Sequence, residues 1–264
     1  RNEDVLKVYR NQTAAPRSLS HDYVSDLVLT DNKQLVAGTL KGINVYNSLT
    51  DGFDHITEEN EITRKGLNSN FINSIFFGDG ILWIGSETGG INKLSPKNPL
   101  IKSYTYTKDL QGSISKNPVN AILEDEEANL WIGTVEGGLN LKKKGEETFT
   151  HYTTASSTRL SHNSVSTLSV DRLDRLWVGT WGMGISVIDR KNPARTALKY
   201  INSANQPGFF PDFVGVLCYD EINNGMWIGS NQGLFFHDIE RDELVVPFKD
   251  GTSSNISGAI GSII

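Results

Sequence analysis

One of the five tryptophans in this 264-residue sequence has a clear potential to bind a ligand. Four of the five lie inside a recurring LWIG-type motif, whereas Trp181 lies just outside that motif and is followed by Gly182. An exposed indole offers a flat face to the C–H groups of a sugar and an N–H donor at its edge. The residue type therefore indicates sugar binding at Trp181. The alternative is a rim residue that covers a neighbouring loop or an absent domain.

Polar side chains in loops form the second group of candidates. Glu87 and Glu136 could accept hydrogen bonds from sugar hydroxyl groups, and other loops contribute His21, Lys116 and His162. Each has a simpler explanation, because a loop glutamate is usually solvated and a single loop histidine is more often neither a ligand nor a base. The candidate ligand-binding residues are therefore Trp181, Glu136, Glu87, His162, Lys116 and His21.

Evidence for catalysis or metal binding is weak. The sequence contains no GxSxG, HExxH or P-loop motif and no GxGxxG after a strand. The histidines do not have the spacing of metal ligands; they are His21, His55, His151, His162 and His237. We predict no catalytic residue, no metal and no cofactor. The carboxylates are numerous, so a glycosidase-like pair, which is defined by its separation in space, stays open.

Composition narrows the possible partners. Apolar residues make up 38% of the chain and charged residues 21%, which is typical of a folded globular protein and not of a disordered one. The formal net charge of −6, without a long basic run, argues against a nucleic-acid partner. A single cysteine, Cys218, cannot form an internal disulfide, and no apolar stretch is long enough for a membrane span.

Five glycines at regular intervals reveal an internal repeat. They lie 47, 48, 46 and 50 residues apart, in the segments LVAGT, LWIGS, LWIGT, LWVGT and MWIGS, at Gly38, Gly85, Gly133, Gly179 and Gly229. An apolar pair three residues apart precedes each glycine, and a second motif such as GGLNLK follows it. Five copies of one unit therefore account for most of the chain.

Each copy divides into four short β-type runs separated by turn residues. The third copy reads VNAILE, LWIGT, LNLK and ETFTHY. A four-stranded unit of about 40 to 50 residues is the period of a propeller blade. We therefore predict an all-β fold, a β-propeller of four-stranded antiparallel blades. The predicted blade cores are residues 20–57, 68–106, 115–152, 161–201 and 210–248.

The tryptophans of the LWIG-type motif are predicted to fill the spaces between blades. Neighbouring strand residues point to opposite faces, so the tryptophan and the next residue should face the two adjacent blades. Burial of one indole is worth at most about 4 to 6 kcal/mol. The glycine that follows should allow a neighbouring chain to approach closely. The predicted inter-blade residues are Trp83, Trp131, Trp177 and Trp227. Blade one has Val36 and Ala37 instead, so its interface should be the least well filled.

Residues that recur at one blade position are best explained by the blade itself. A polar residue precedes the first strand of every blade, at Asp22, Asn70, Asn117, Asn163 and Asp212. We interpret these side chains as acceptors of backbone amides in turns, in preference to a ring of ligands. The same interpretation applies to the hairpin aspartates Asp125, Asp171 and Asp220. The aromatic residues Tyr23, Phe71 and Phe213, each directly after a recurring polar residue, are expected to cap the core.

Two single strand-like runs flank the five units. Residues 5–9, VLKVY, match a fourth strand, and residues 256–264 contain AIGSII, which matches a first strand. The other strands of those units are missing from the sequence. We therefore predict an incomplete ring that belongs to a longer propeller.

The composite repeat VNAILEDEEANLWIGTVEGGLNLK, preceded by LSHN at residues 160–163, resembles the two-component regulator propeller repeat. The resemblance covers nearly the whole chain. It implies the periplasmic sensor region of a hybrid two-component system of gut Bacteroidetes, followed by an immunoglobulin-like domain, a membrane span, a histidine kinase and a regulator. Such sensors typically detect oligosaccharides. The repeat motif describes a blade, so the resemblance implies no individual binding residue.

The preferred reading is a binding module that is not an enzyme. It would bind an oligosaccharide and relay the event to a kinase outside this chain, within a receptor that we expect to be a homodimer. Signalling requires that the ligand prefer one arrangement of subunits over another. Two alternatives stay open. One is a propeller enzyme acting on polysaccharide, a lyase or hydrolase, and the other is a scaffold for protein interactions.

Overall fold

The structure, a computed structural model, describes residues 7–58, 66–95, 98–205 and 213–245. Within these ranges the chain forms five four-stranded sheets. Every sheet has its strands paired antiparallel in chain order, so the predicted all-β class with four-stranded blades is confirmed. These ranges hold no helix that could cross a membrane.

The chain divides into two compact units, Arg1–Tyr104 and Thr105–Ile264. The first unit contains blades one and two. Blade one consists of β1 (Val24–Leu29), β2 (Leu35–Thr39), β3 (Gly42–Asn47) and β4 (Gly52–Ile56). Blade two consists of β5 (Ile72–Gly78), β6 (Ile81–Ser86), β7 (Gly90–Ser95) and β8 (Asn98–Tyr104).

The second unit contains blades three, four and five. Blade three consists of β9 (Val119–Glu124), β10 (Leu130–Thr134), β11 (Gly138–Lys142) and β12 (Thr150–Tyr152). Blade four consists of β13 (Val165–Val170), β14 (Arg175–Thr180), β15 (Ile185–Asp189) and β16 (Lys199–Ile201). Blade five consists of β17 (Val214–Asp220), β18 (Gly225–Ser230), β19 (Gly233–Asp238) and β20 (Glu243–Val245).

The order of the strands fixes which loops share an edge of each blade. Because consecutive strands run antiparallel, the first and third turns of a blade lie at one edge. The second turn lies at the opposite edge, together with the loop that leads into the first strand, which we call the leading loop. Within each unit, we call the edge of the blades that bears the leading loops and second turns the leading rim, and the edge that bears the first and third turns the hairpin rim.

Adjacent residues of β14 face two different neighbours, as predicted for the repeated motif. Trp177 packs in one apolar cluster with Leu217 and Ile228 of blade five. Val178 lies in a second cluster with Trp131 of blade three. Two successive side chains of one strand thus join blade four to both of its neighbours in the second unit.

The motif tryptophans differ in burial. Trp83 is 4% exposed, and Trp131 and Trp177 are each 1% exposed. Trp227 is only half-buried. The Trp227 ring lies against that of Phe236 in the same blade, with ring centroids 4.8 Å apart.

An aspartate in the first turn anchors the indole in each blade of the second unit. Asp125 accepts the Nε1–H of Trp131 at 2.9 Å, and Asp171 accepts that of Trp177 at 2.7 Å. Asp220 does the same for Trp227 at 3.0 Å. These aspartates also accept backbone amides of their own turns, as predicted: Asp125 from Glu127 at 3.1 Å, Asp171 from Leu173 at 2.9 Å and Asp220 from Ile222 at 3.0 Å. The indole N–H is an additional partner.

The motif glycines allow the next blade to approach closely. A Cβ atom on Gly133 would lie 2.5 Å from Cγ1 of Val165, which begins the first strand of blade four. A Cβ on Gly179 would lie 2.9 Å from Cγ1 of Val214, which begins blade five. Any side chain at these positions would collide with the adjacent blade.

Blade one encloses its smaller residues without a tryptophan. Val36 and Ala37 are both 2% exposed, and Val36 packs with Ile72 and Ile75 of blade two. The poorer filling of this interface stays a prediction.

His237 is a buried histidine of blade five with an unusual environment. It is 1% exposed, and its ring lies 5.3 Å from that of Trp177. Its Nε2 lies 3.4 Å from Lys199 Nζ and 3.5 Å from Asp242 Oδ1, and its Nδ1 has no hydrogen-bond partner in the described part of the chain. Burial, helped by the charge of Lys199, lowers the pKa of His237 to about 4.

The predicted flanking strands fall largely outside the described residues. Residues 256–264 are not described, and of residues 5–9 only 7–9 are, where they form no strand. Tyr9 instead packs edge-to-face on Phe53, with ring centroids 5.4 Å apart.

Candidate functional site

In blades two to five, a recurring backbone hydrogen bond joins the second turn to the leading loop of the same blade. The donor is the amide of the first residue after a blade's second strand. The acceptor is the carbonyl of the residue that directly follows the recurring polar residue in the leading loop. Trp181 donates to Ser164 at 2.9 Å, and Val135 donates to Pro118 at 3.1 Å. Glu87 donates to Phe71 at 2.9 Å. Side chains of both loops are therefore held next to one another.

Trp181 lies at the centre of an exposed apolar patch on this rim in the second unit. Its side chain is 40% exposed, and those of Met183 and Phe213 are 48% and 49% exposed. Trp181 and Phe213 form an isolated antiparallel β-bridge, so their Cα atoms are opposite each other. We call these three residues the Trp181 patch.

His162 lies beside the Trp181 patch with one ring nitrogen fixed. Its Nδ1 accepts the amide N–H of Ser164 at 3.0 Å, so the neutral ring carries its proton on Nε2. The same nitrogen, Nε2, would lie 3.3 Å from a Cβ atom on Gly182, whose φ is +137°. Gly182 therefore leaves room for the imidazole and places an N–H donor next to Trp181.

Glu136 and Lys116 continue the rim on the blade three side. The Glu136 amide donates to Ser164 Oγ at 3.2 Å, and the Glu136 carboxylate lies 3.7 Å from Lys116 Nζ. Both side chains are well exposed, so the pair contributes little to stability and stays accessible. Ser164 thus connects both second turns, because its carbonyl binds Trp181 and its hydroxyl binds Glu136. Four of the six candidates lie along this rim of the second unit.

The other two candidates, His21 and Glu87, belong to the first unit. His21 Nδ1 accepts the amide of Tyr23 at 2.9 Å, which reproduces the geometry of His162. Glu87 accepts a hydrogen bond from Asn73 Nδ2 at 3.0 Å. Asn73 lies at the bulge of β5, between the paired residues Ile72 and Ser74. Their part in ligand binding stays a prediction.

The aromatic residues of the leading loops were expected to cap the core, and that prediction is wrong. Tyr23 is 59% exposed, Phe71 is 53% exposed and Phe213 is 49% exposed. The leading loop is held by its backbone amides and its polar side chain, so the aromatic ring is not needed for packing. Recurrence of an aromatic residue on a predicted rim was the signal that could have identified Phe213. Met183 gave no such signal.

The recurring polar residues accept backbone amides, as predicted, but from the segment that precedes the leading loop. Asn70 Oδ1 accepts the Glu58 amide and Asn163 Oδ1 accepts the Thr154 amide, both at 2.8 Å. Asp22 accepts the Asn11 amide at 2.6 Å. These side chains therefore connect the segment before the leading loop to the start of the blade that follows. Asn117 directly precedes Pro118, and Asp212 lies outside the described residues.

The described residues hold no group of three or more His, Cys, Asp and Glu side chains that could bind a metal ion. The Trp181 patch and its neighbours offer stacking surface, one imidazole N–H, one carboxylate and one ammonium group. This set can bind hydroxyl groups and the apolar face of a ring.

A family model described as two component regulator propeller matches residues 66–88 and 159–182, in blades two and four. These segments of blades two and four are similar to two-component regulator propeller repeats. The resemblance seen in the sequence is thereby confirmed. The second matched segment includes His162 and Trp181.

Similar proteins support the same fold. The chain is 29% identical over 188 residues to histidine kinase P4 of Formosa agariphila, a match covering 69% of this chain and 14% of that protein. It resembles the extracellular domain of BT3049 from B. thetaiotaomicron, described as a hybrid two-component system, with a TM-score of 0.75 and 20% identity. That match covers 91% of this chain and 31% of the other.

PorZ, a surface component of the type-IX secretion system of Porphyromonas gingivalis, shares the fold with a TM-score of 0.62 and 15% identity. The match covers 87% of this chain and 34% of PorZ. The predicted β-propeller is therefore confirmed. Proteins with different tasks share it, and the chain spans about a third or less of each of these proteins, so the fold alone does not define a function.

Proposed function

We propose that this chain is part of the extracytoplasmic sensor propeller of a hybrid two-component regulator and that its leading rim binds an oligosaccharide. Support comes from the matched segments in blades two and four and from neighbours described as extracellular domains of hybrid two-component systems. In this proposal the chain is not an enzyme. It lies in the periplasm as part of a receptor anchored in the inner membrane.

The observation that carries the sugar proposal is the contrast between Trp181 and the motif tryptophans. Trp131 and Trp177 are each 1% exposed, whereas Trp181 is 40% exposed and has its backbone fixed by Ser164. An indole held in place loses little conformational entropy when it stacks on a ligand. A pyranose ring would stack on Trp181, and its hydroxyl groups would bind His162 Nε2, Glu136 and Lys116.

Relay of the signal requires more chain than the blades described. A ligand shifts the equilibrium between two receptor arrangements only by the difference in its affinity for them. We propose that further blades and an immunoglobulin-like domain of the same receptor complete this path, and that the intact receptor is a homodimer.

The test is calorimetric titration of the full chain with a panel of plant and host oligosaccharides. Trp181→Ala should weaken binding about tenfold or more while leaving the melting temperature unchanged. Leu173→Ala is the matched control, because Leu173 is an exposed apolar residue of the same blade but lies in its first turn, on the hairpin rim. Equal affinity of the Trp181→Ala variant and the unmodified chain would remove Trp181 from the site.

Two other outcomes would favour a different function. Turnover of an oligosaccharide by the purified chain would indicate a lyase or hydrolase. A stoichiometric protein partner held by the Trp181 patch, together with no measurable sugar affinity, would indicate an interaction scaffold.

A further inference from the structure

The hairpin rim of the second unit holds a pocket of about 570 Å³ between blades three and four. It is lined by residues of the first and third turns of blade three and of the third turn of blade four. These turns lie at the edge opposite the Trp181 patch, so the pocket is separate from the proposed oligosaccharide site. Its volume falls in the range of sites for small molecules, about 300 to 1,000 Å³.

A buried arginine holds the walls of this pocket in place. The Arg190 side chain is 5% exposed and pairs with Asp125 at 2.8 Å and with Glu127 at 3.1 Å, both in the first turn of blade three. It also pairs with Asp174 in the first turn of blade four. One guanidinium group therefore connects both blades, and a buried bidentate network of this kind restricts their relative movement.

The wall from blade four is a well-ordered turn. Asp189 accepts the amides of Lys191 and Asn192 at 3.0 and 3.2 Å, and it also accepts Asn192 Nδ2 at 3.1 Å. The Asn192 side chain is the main cause of the lowered pKa of Asp189. The Lys191 ammonium group lies 3.0 Å from Asp174. This segment keeps its shape without a ligand.

Two cationic side chains of the lining remain available. Lys143 and Arg195 are exposed, and in the described ranges no carboxylate lies within ion-pair distance of either. Arg195 acts on Asp189 only through its charge at longer range. Arg190 is shared by Asp125, Glu127 and Asp174, and Lys191 pairs with Asp174, so this network carries no positive excess. An anion would therefore be held locally by Lys143 and Arg195, the lining cations without a carboxylate partner in the described ranges.

The floor of the pocket is aromatic. Trp131 and Tyr152 are 1% and 7% exposed, and their ring centroids lie 6.4 Å apart. Leu141 lies next to them in the lining. Because these side chains are almost fully buried, they close the base of the pocket, and the exposed groups nearer its mouth are the ones that can contact a ligand. A cationic mouth suits a ligand with an anionic group at one end.

We propose that this pocket binds a small organic anion of the size of a saccharide unit, with its carboxylate or sulfate group held by Lys143 and Arg195. The ring of the ligand would lie against Pro193 and Ala194 in the blade-four wall. The site would give the chain a second specificity, for charge, on the rim opposite the Trp181 patch.

The test compares three probes of similar size by calorimetric titration of the full chain: D-glucuronate, D-glucose 6-sulfate and uncharged D-glucose. At least one of the two anions should bind, and D-glucose should bind about tenfold more weakly or not at all. Added salt should weaken binding of the anion. The two anionic probes distinguish a carboxylate site from a sulfate site.

Substitutions of lining residues test whether the ligand binds in this pocket. Lys143→Ala and Arg195→Ala should each weaken binding of the anion about tenfold without changing the melting temperature. Lys144→Ala is the matched control, because Lys144 is the neighbouring exposed lysine and does not line the pocket. Trp181→Ala should also leave this affinity unchanged, which separates the result from that for the leading rim. Binding of neither anion, equal binding of D-glucose, or equal weakening by Lys144→Ala would overturn the proposal.

Discussion

Truncation of Trp131 gives a sharp test of the inter-blade packing. The side chain is 1% exposed and packs with Leu176 and Val178 of blade four, and its Nε1–H is bound by Asp125. Removing about 200 Å² of buried aromatic surface costs at most about 5 kcal/mol in transfer free energy. Core Trp→Ala substitutions typically cost about 3 to 5 kcal/mol, because the cavity collapses only in part. We expect Trp131→Ala to lower the free energy of unfolding by about 4 kcal/mol.

Urea denaturation followed by circular dichroism measures this change. Trp227→Ala is the matched control, because Trp227 has the same motif and an equivalent aspartate partner, Asp220, but is only half-buried. Its loss should be clearly smaller. A loss below about 1 kcal/mol for Trp131→Ala, or equal losses for both variants, would show that the indole does not hold the blades together.

Two further predictions concern single sites in the second unit. Because the pKa of His237 falls from 6.5 to about 4 on folding, the unfolded chain binds a proton that the folded chain does not. Stability should be complete above about pH 6.5 and should fall by about 3 kcal/mol as the pH drops to about 4. His237→Gln should flatten this pH dependence in urea titrations; an unchanged profile would contradict it. Gly133→Ala should destabilise the chain by about 1 to 3 kcal/mol through its collision with Val165, and Val165→Ala should relieve part of that loss in the double variant. Strictly additive losses would show that the two sites do not touch.

The repeat was enough to predict the blades because their packing depends on residue types that recur. The glycine spacing and the LWIG-type motif located the second strands, and the alternation along β14 follows from strand geometry. The bulge in the first strand of each blade could not be predicted. It is a shift in hydrogen-bond register, seen for example between Val165 and Thr167, and no residue type marks it.

The candidate site was predictable only in part, for a physical reason. Trp181 stood out because it has no place in the repeated motif, and it is exposed. Phe213 was assigned to the core because an aromatic residue recurs at its position. Recurrence shows that blades share an environment, but it does not show whether that environment is buried.

The pocket of the hairpin rim brings together Lys143 and Arg195, which are 52 positions apart in turns that do not resemble each other. No motif or spacing in the sequence indicates that these two side chains line the same pocket.

The opposite orientations of Trp177 and Val178 determine which blade interfaces lose stability when β14 is altered. Strand β14 lies between two separate apolar clusters and contributes side chains to both. In arrays whose units touch only their neighbours, cooperativity passes from unit to unit. A substitution that disturbs β14 therefore loosens the packing of blade four on blade three and on blade five at the same time.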